Sequence, residues 1–245
     1  HVREELARYG VTFIRGTVTS ARHGFAVVFD TGAELHARRL ILATGMSDEI
    51  PEIPGLRERW ANDVLHCPYC HGWEVRDRRL AILASAPGSV DYAHIVREWS
   101  SDIVFLAHDY ALTALERQSL EARGIPVVDG RVERVAEDSG HLVGVVLDDE
   151  RFVACEAIFA RPVNRPHGEA LLESLGCERD SGGFPLVDRS GLTSVPGVWA
   201  AGNVADPRAQ VVTAASQGSA SAIALNADLV HEDVAQAVEA GMLRA

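Results

Sequence analysis

The sequence predicts an α/β fold with attached β-meanders, of the kind that stacks two nucleotide-binding-like domains. Three observations carry this expectation. Arg79-Leu80-Ala81-Ile82-Leu83-Ala84 and Ile103-Val104-Phe105-Leu106 read as buried strands on either side of a helical stretch, a strand–helix–strand unit. Runs of β-branched and aromatic residues separated by glycine turns surround that unit. A short apolar strand, Gly197 to Gly202, leads into a long helix from about Val211 to Val230.

In chain order, a short helix ends at Tyr9-Gly10. Strand-like runs follow at Val11 to Arg15, Phe25 to Phe29 and Leu35 to Ala43, with turns at His23-Gly24 and Thr31-Gly32. The Pro-punctuated stretch Pro51-Glu52-Ile53-Pro54-Gly55 marks a boundary, and a second block begins near Asp63. Within it, Ser89 is expected to cap a helix running to about Ser100. A further helix with Leu112, Leu115 and Leu120 on one side ends at Gly124. Strands around Val132, Val145 and Val153 complete this block, and a third starts near Arg165.

The 245 residues suffice for one or two domains with a real core, and 47% hydrophobic with 24% charged residues is ordinary for a globular chain. A net charge of −12 argues against nucleic acid as partner, because phosphate neutralisation needs Lys and Arg. No apolar run has the length to span a bilayer. With no export signal at the start, the expected compartment is cytoplasmic. A chain opening on His1 reads as a fragment or processed form.

Four cysteines are too few and too scattered for a secreted disulfide scaffold. Cys155, in the run Phe152-Val153-Ala154-Cys155, reads as a small core residue, and Cys177, after Gly176, has no assigned role. The informative stretch is His66-Cys67-Pro68-Tyr69-Cys70-His71-Gly72-Trp73-Glu74. Two intervening residues let the sulfurs meet across a first helical turn, with Pro68 at the first helical position, where its missing N–H costs nothing. A helix N-terminus favours thiolate over thiol, and His71 can move a proton near neutral pH. Alternatives remain: a zinc site, for which His66 and His71 flank the pair too closely to complete a tetrahedron, a c-type haem attachment at Cys67-x-x-Cys70-His71, or inert thiols. No metal is expected.

Three segments in order carry a resemblance. They are Leu42-Ala43-Thr44-Gly45 with Ile50-Pro51-Glu52-Ile53-Pro54-Gly55, then Cys67-Pro68-Tyr69-Cys70, then Val195-Pro196-Gly197-Val198-Trp199-Ala200-Ala201-Gly202-Asn203. Their order resembles the low-molecular-weight thioredoxin-reductase family of two-domain flavoproteins. The resemblance implies two Rossmann-like, three-layer FAD/NAD(P)-binding domains, the second inserted into the first. Residues 1–62 and 165–245 would form the FAD-binding domain, and 63–164 the inserted domain. It further implies Cys67 as the exchange cysteine, Cys70 as the one facing the flavin, and His71 where the family has a proton-transferring Asp. Thr44 and Gly45 would approach FAD. Gly202 and Asn203, the latter in place of an Asp, would reach its ribityl or pyrophosphate region, and Ala209, Gln210 and Val211 would offer N–H groups to the ring. A homodimer is implied as well.

Two departures matter. No G-x-G-x-x-G occurs, so the FAD phosphate-binding unit is expected to precede His1, and the chain alone is expected to bind FAD poorly or not at all. The inserted domain's nucleotide loop reads Ser85-Ala86-Pro87-Gly88-Ser89-Val90-Asp91, and Ala107-His108-Asp109-Tyr110 puts an acid where the family clamps a phosphate with arginines, so NADPH is doubtful. Retaining the cysteine pair while losing that site resembles the dithiol oxidases of gliotoxin- and holomycin-type pathways. The implied reaction oxidises a small-molecule dithiol with dioxygen as acceptor, with His71 as base and Glu74 a weaker candidate. An NADPH-dependent reductase of thioredoxin or another disulfide is the alternative, and a non-enzymatic thiol sensor or pathway remnant the third.

Overall fold

The computed structural model of the chain describes residues 2–22 and 24–242. Two compact units divide at Ser47/Asp48 and at Val163/Asn164, so the first unit is made from both ends of the chain and the second from its middle.

The first unit opens with α1 (Val2–Ala7), followed by β1 (Val18–Arg22), β2 (Ala26–Phe29) and β3 (Glu34–His36) in an antiparallel meander. Of the expected turn at 23–24, His23 lies outside the described residues, while Gly24 takes a left-handed φ of 81°. The expected strand Val11 to Arg15 does not form: Val11, Phe13 and Ile14 are exposed, and no described strand runs beside them to complete a ladder. The expected run Leu35 to Ala43 is divided between β3 and β4 (Leu40–Leu42). Between them Arg38 and Arg39 pair with Asp228, Glu232 and Asp233 of the C-terminal helix. β5 (Met46–Glu49) follows.

In the second unit β6 (Val64–Leu65) leads to α2 (Pro68–His71), then β7 (Leu80–Leu83), α3 (Ser89–Val96), β8 (Ile103–Leu106), α4 (Ala114–Ala122) and β9 (Val127–Val128). A meander of β10 (Val132–Asp138), β11 (His141–Leu147) and β12 (Phe152–Ala154) precedes β13 (Ala157–Ala160). The parallel sheet runs β6-β13-β7-β8-β9. β7 and β13 are buried at every residue, as a sheet covered on both faces requires. Leu80, Ile82, Phe105 and Phe159 face Tyr92, Val96 and Leu120 of the helices. Ala81, Leu83, Leu106 and Ile158 face Val132, Val145 and Leu147 of the meander. This alternation makes three layers. Ile50, Ile53 and Leu56 belong to the meander-side core.

Two local expectations change. Gly88, not Ser89, caps α3 in a left-handed conformation, and the Ser89 hydroxyl donates back to the Ala86 carbonyl at 2.6 Å. The helix stops at Val96 rather than near Ser100, whose hydroxyl instead donates to the Arg78 carbonyl at 2.6 Å. In α4 the Thr113–Glu116 capping box sets the start, and Leu120 is buried while Leu115 is exposed. Five positions place Leu115 about 140° around the helix from Leu120, too far to share a face.

The chain then forms β14 (Val163–Pro166), which pairs with β5, and α5 (Glu169–Leu175), closed by left-handed Gly176. β15 (Val198–Ala200) lies parallel to β4 with Trp199 opposite Ile41. Leu42, Leu171, Leu172, Val198 and Ala200 share the first unit's core. A 3-10 turn (Gly202–Val204) precedes α6 (Val211–Met242). This helix continues past Val230, where Glu232 and Asp233 pair with Arg38 and helix-favouring alanines follow. No helix among the described residues is long and apolar enough to cross a membrane. The fold is therefore the mixed α/β, Rossmann-type architecture expected.

Candidate active site

The redox motif sits where β6 runs off the edge of the second unit's sheet. Cys67 is the N-cap of α2, with φ −114° and ψ 105°, and its sulfur accepts the Cys70 backbone N–H at 3.1 Å. Pro68 occupies the first helical position and is buried, as its missing N–H allows. Cys67 and Cys70 are joined as a disulfide with their Cα atoms 5.2 Å apart. Both sulfurs are thereby committed to each other, which carries the redox reading over a zinc or haem ligand set. Cys70 is exposed and Cys67 half-buried.

The turn after the pair is tightly fixed. His71, half-buried, ends α2, and Gly72 presses against Trp99: a Cβ on Gly72 would stand 2.3 Å from the indole Nε1. His66 stacks on Trp60, ring centroids 5.4 Å apart, with its Nδ1 3.9 Å from Asp48 Oδ2, and the Tyr92 hydroxyl donates to the His66 carbonyl at 2.6 Å. Tyr69 and Trp73 stay exposed, and the Arg76 guanidinium covers one face of Trp73 at 3.8 Å from the ring centroid. Sequence alone does not single out His66, Tyr92 and Trp99 as supports of the site, because each reaches the motif through tertiary contact. The other two thiols are buried. Desolvation pushes Cys155 up to about 12 and raises Cys177, so both are poor nucleophiles.

The first unit holds the residues expected to bind a cofactor. Thr44 and Gly45 follow β4, Gly202 and Asn203 follow the adjacent parallel β15, and Gly45 and Gly202 are both left-handed, with φ 75° and 76°. The Thr44 hydroxyl is committed to the His167 carbonyl at 2.8 Å, and the Gly202 N–H to Gln217 Oε1 at 2.8 Å. Asn203 Nδ2 donates to the carbonyls of Asp206 (3.2 Å) and Ala209 (2.9 Å), which ties the turn to the start of α6 and leaves Oδ1 as an acceptor. The Gln210 carbonyl accepts the Ala214 N–H at 2.8 Å, so the N–H groups at the start of α6 precede the helical ladder. Val211 and Val212 are 89% and 74% exposed. Two strand ends, a helix start and two uncovered valines fit a flat, partly apolar ring with a hydroxylated tail, as in FAD.

The second unit's crevice is different. At the C-terminal end of β7, the Arg161 guanidinium lies against Gly88: a Cβ there would meet Nη1 at 2.2 Å. The Ser85 hydroxyl donates to the Arg161 carbonyl at 2.8 Å. Beyond β8, His108 Nδ1 accepts the Val132 N–H at 3.0 Å, and Asp109 lies 3.3 Å from His108 Nε2 and 3.5 Å from Arg131 Nε. Burial lowers the His108 pKa, with Asp109 opposing.

Residues 3–218 match the family of pyridine nucleotide-disulphide oxidoreductases. Thioredoxin reductase sirT of Leptosphaeria maculans is 28% identical over 255 residues, covering 96% of this chain and 78% of that protein. An alkyl hydroperoxide reductase chain of Pseudomonas aeruginosa is 30% identical over 207 residues, or 80% of this chain, which spans 39% of that protein's length. Among solved structures, the crystal structure of HlmI shares 49% identity with a TM-score of 0.93 over 97% of this chain and 77% of its own. The oxidoreductase from Agrobacterium tumefaciens shares 33% with a TM-score of 0.86 over 94% and 78%. With its Cys67–Cys70 disulfide at a helix start, this chain belongs to the pyridine nucleotide-disulphide oxidoreductase family and is thioredoxin-reductase-like, a membership that implies FAD.

Proposed function

We propose that the protein oxidises a dithiol to a disulfide, with dioxygen as final electron acceptor. A substrate thiolate attacks Cys67 Sγ, breaking the Cys67–Cys70 bond and leaving Cys70 as thiolate. The second substrate thiol, deprotonated, attacks the substrate sulfur of the mixed disulfide and expels Cys67. The product is a substrate disulfide, and the pair now holds two electrons and two protons. The Cys70 N–H at Cys67 Sγ favours that expulsion, because the better-stabilised thiolate leaves faster. His71, adjacent to Cys70, is the candidate to take the substrate proton, with Glu74 second.

FAD, when bound, supplies the two-electron acceptor for the reduced pair and delivers those electrons to dioxygen, giving hydrogen peroxide. Thr44, Gly45, Gly202, Asn203 and the backbone of Ala209 to Val211 would hold it. Tyr69 and Trp73 give the substrate an exposed aromatic face beside the sulfurs.

The observation that carries the direction is the second unit's crevice. Pro87 removes an N–H from the loop, Arg161 fills the space over its one glycine, and the acid Asp109, paired with Arg131, follows β8. These features disfavour a dinucleotide. The reductase reading, a thioredoxin-like partner served by NADPH, is favoured by the names of relatives such as sirT. Mixing the flavin-loaded full-length protein anaerobically with dithiothreitol or with NADPH separates the two. Bleaching of the flavin band by dithiol alone, with recovery and peroxide on admitting air, is expected. Bleaching by stoichiometric NADPH would overturn the oxidase direction.

A further inference from the structure

Helix α3 begins where a dinucleotide-binding helix begins, yet its first turn reaches the redox motif. Tyr92 is 8% exposed, its ring edge-on to Phe159 at 6.3 Å, and its hydroxyl donates to the His66 carbonyl at 2.6 Å. The β6–β13 ladder ends with Leu65 opposite Phe159. Past that point the sheet no longer fixes the chain, and Tyr92 supplies the next donor.

We infer that Tyr92 is a positioning residue for the exchange cysteine: by holding the His66 carbonyl it fixes the His66–Cys67 peptide, and so the N-cap geometry in which Cys67 Sγ accepts the Cys70 N–H. The His66 carbonyl and the Cys67 N–H share one planar peptide, so anchoring the oxygen restrains rotation about Cys67 φ. At φ −114° and ψ 105° the sulfur lies 3.1 Å from the Cys70 nitrogen, and a peptide free to turn would carry it off the helix axis. Burial raises the Tyr92 phenol pKa, so the hydroxyl remains a donor at every working pH. α3 thus holds the redox turn. The inference rests on Cys67–Cys70 as the working pair, and not on the direction of electron flow.

The test uses the flavin-loaded full-length protein carrying Tyr92→Phe, which keeps the ring and removes the hydroxyl. After anaerobic reduction, the rate of Cys67 alkylation by iodoacetamide is followed against pH by intact mass. The apparent thiol pKa is expected to rise, leaving roughly five- to tenfold less thiolate at neutral pH, with kcat for dithiothreitol falling by a similar factor and KM unchanged. Ser89→Ala is the matched control: it removes another buried hydroxyl from the same helix, bonded to a carbonyl at the same 2.6 Å, and should leave the thiol pKa alone. An unshifted pKa in Tyr92→Phe, or an equal shift in Ser89→Ala, would overturn the inference. Should Tyr92→Phe fail to fold, 3-fluorotyrosine placed at position 92, a stronger donor in the same frame, must lower the thiol pKa; no change would overturn it equally. A dithiol oxidase and a reductase give the same alkylation result, so the outcome is independent of the proposed direction.

Discussion

The backbone N–H of Cys70 donates to the sulfur of Cys67 across 3.1 Å, and no reciprocal donor reaches the sulfur of Cys70 among the described residues. The pair is therefore unequal. In the reduced pair, negative charge should be better held on Cys67, which accepts that N–H, than on Cys70. With Cys70→Ser, the remaining Cys67 thiol should alkylate about tenfold faster at pH 7 than Cys70 does in Cys67→Ser. Mass-resolved iodoacetamide kinetics measure both, and equal rates would remove the asymmetry from the mechanism. Either substitution should abolish turnover.

Gly72 has helical backbone angles, φ −60° and ψ −35°, at which alanine is ordinarily tolerated or stabilising. Here a Cβ would stand 2.3 Å from Trp99 Nε1 and 2.4 Å from the Pro68 carbonyl. Gly72→Ala is expected to destabilise by about 1–3 kcal/mol, the range for overpacking a fixed site, and to lower Tm by several degrees. Thermal denaturation reads this directly. A neutral substitution would mean that Trp99 moves away at little cost and does not fix the turn.

The parts legible in sequence are those set by neighbours in the chain. Cys-Pro-Tyr-Cys specifies its own short helix because Pro68 and the capping sulfur lie within four residues, and Leu80–Leu83 and Ile103–Leu106 are apolar enough to be buried on both faces. What stays hidden depends on distance. Tyr92 meets His66 across 26 residues, and Arg161 meets Gly88 from the far side of the second unit's sequence. Val11 to Arg15 has strand composition but no described partner strand, and β-propensity alone does not make a ladder. The sequence places the end of α6 near Val230, whereas the helix runs on to Met242, with Arg38 pairing across the chain to Glu232 and Asp233.

Two histidines of the second unit should make it acid-sensitive. Burial lowers the pKa of His108, against Asp109, and of His94, where Arg123 adds to the effect. In each case the unfolded state binds a proton at higher pH than the folded state. The stabilising contribution is thus complete above the ordinary histidine value of about 6.5 and is lost as pH falls below it toward the lowered folded values. Denaturant midpoints should fall on acidification through that window. His108→Asn should flatten the decline, because Asn tolerates the left-handed φ of 50° and its Oδ1 can accept the Val132 N–H in place of Nδ1. An unchanged pH profile in that variant would exclude His108 as a source of the acid sensitivity.

Trp73 offers the clearest test of substrate contact. It is 63% exposed, three residues past Cys70, and its ring packs on Arg76. Arg76 donates to the Trp73 carbonyl at 2.7 Å and stacks on one ring face, so a ligand's contact would be with the opposite face. A planar dithiol approaching Cys67 can lie on that face, whereas dithiothreitol has no ring to place there. Trp73→Ala should therefore raise KM for an aromatic dithiol about five- to tenfold, the scale of one aromatic stacking contact, with kcat little changed. Oxygen-uptake kinetics with the aromatic dithiol and dithiothreitol compare the two. If instead kcat falls for both dithiols and KM for neither, Trp73 serves to hold the turn with Arg76, and the substrate approaches from the Tyr69 side.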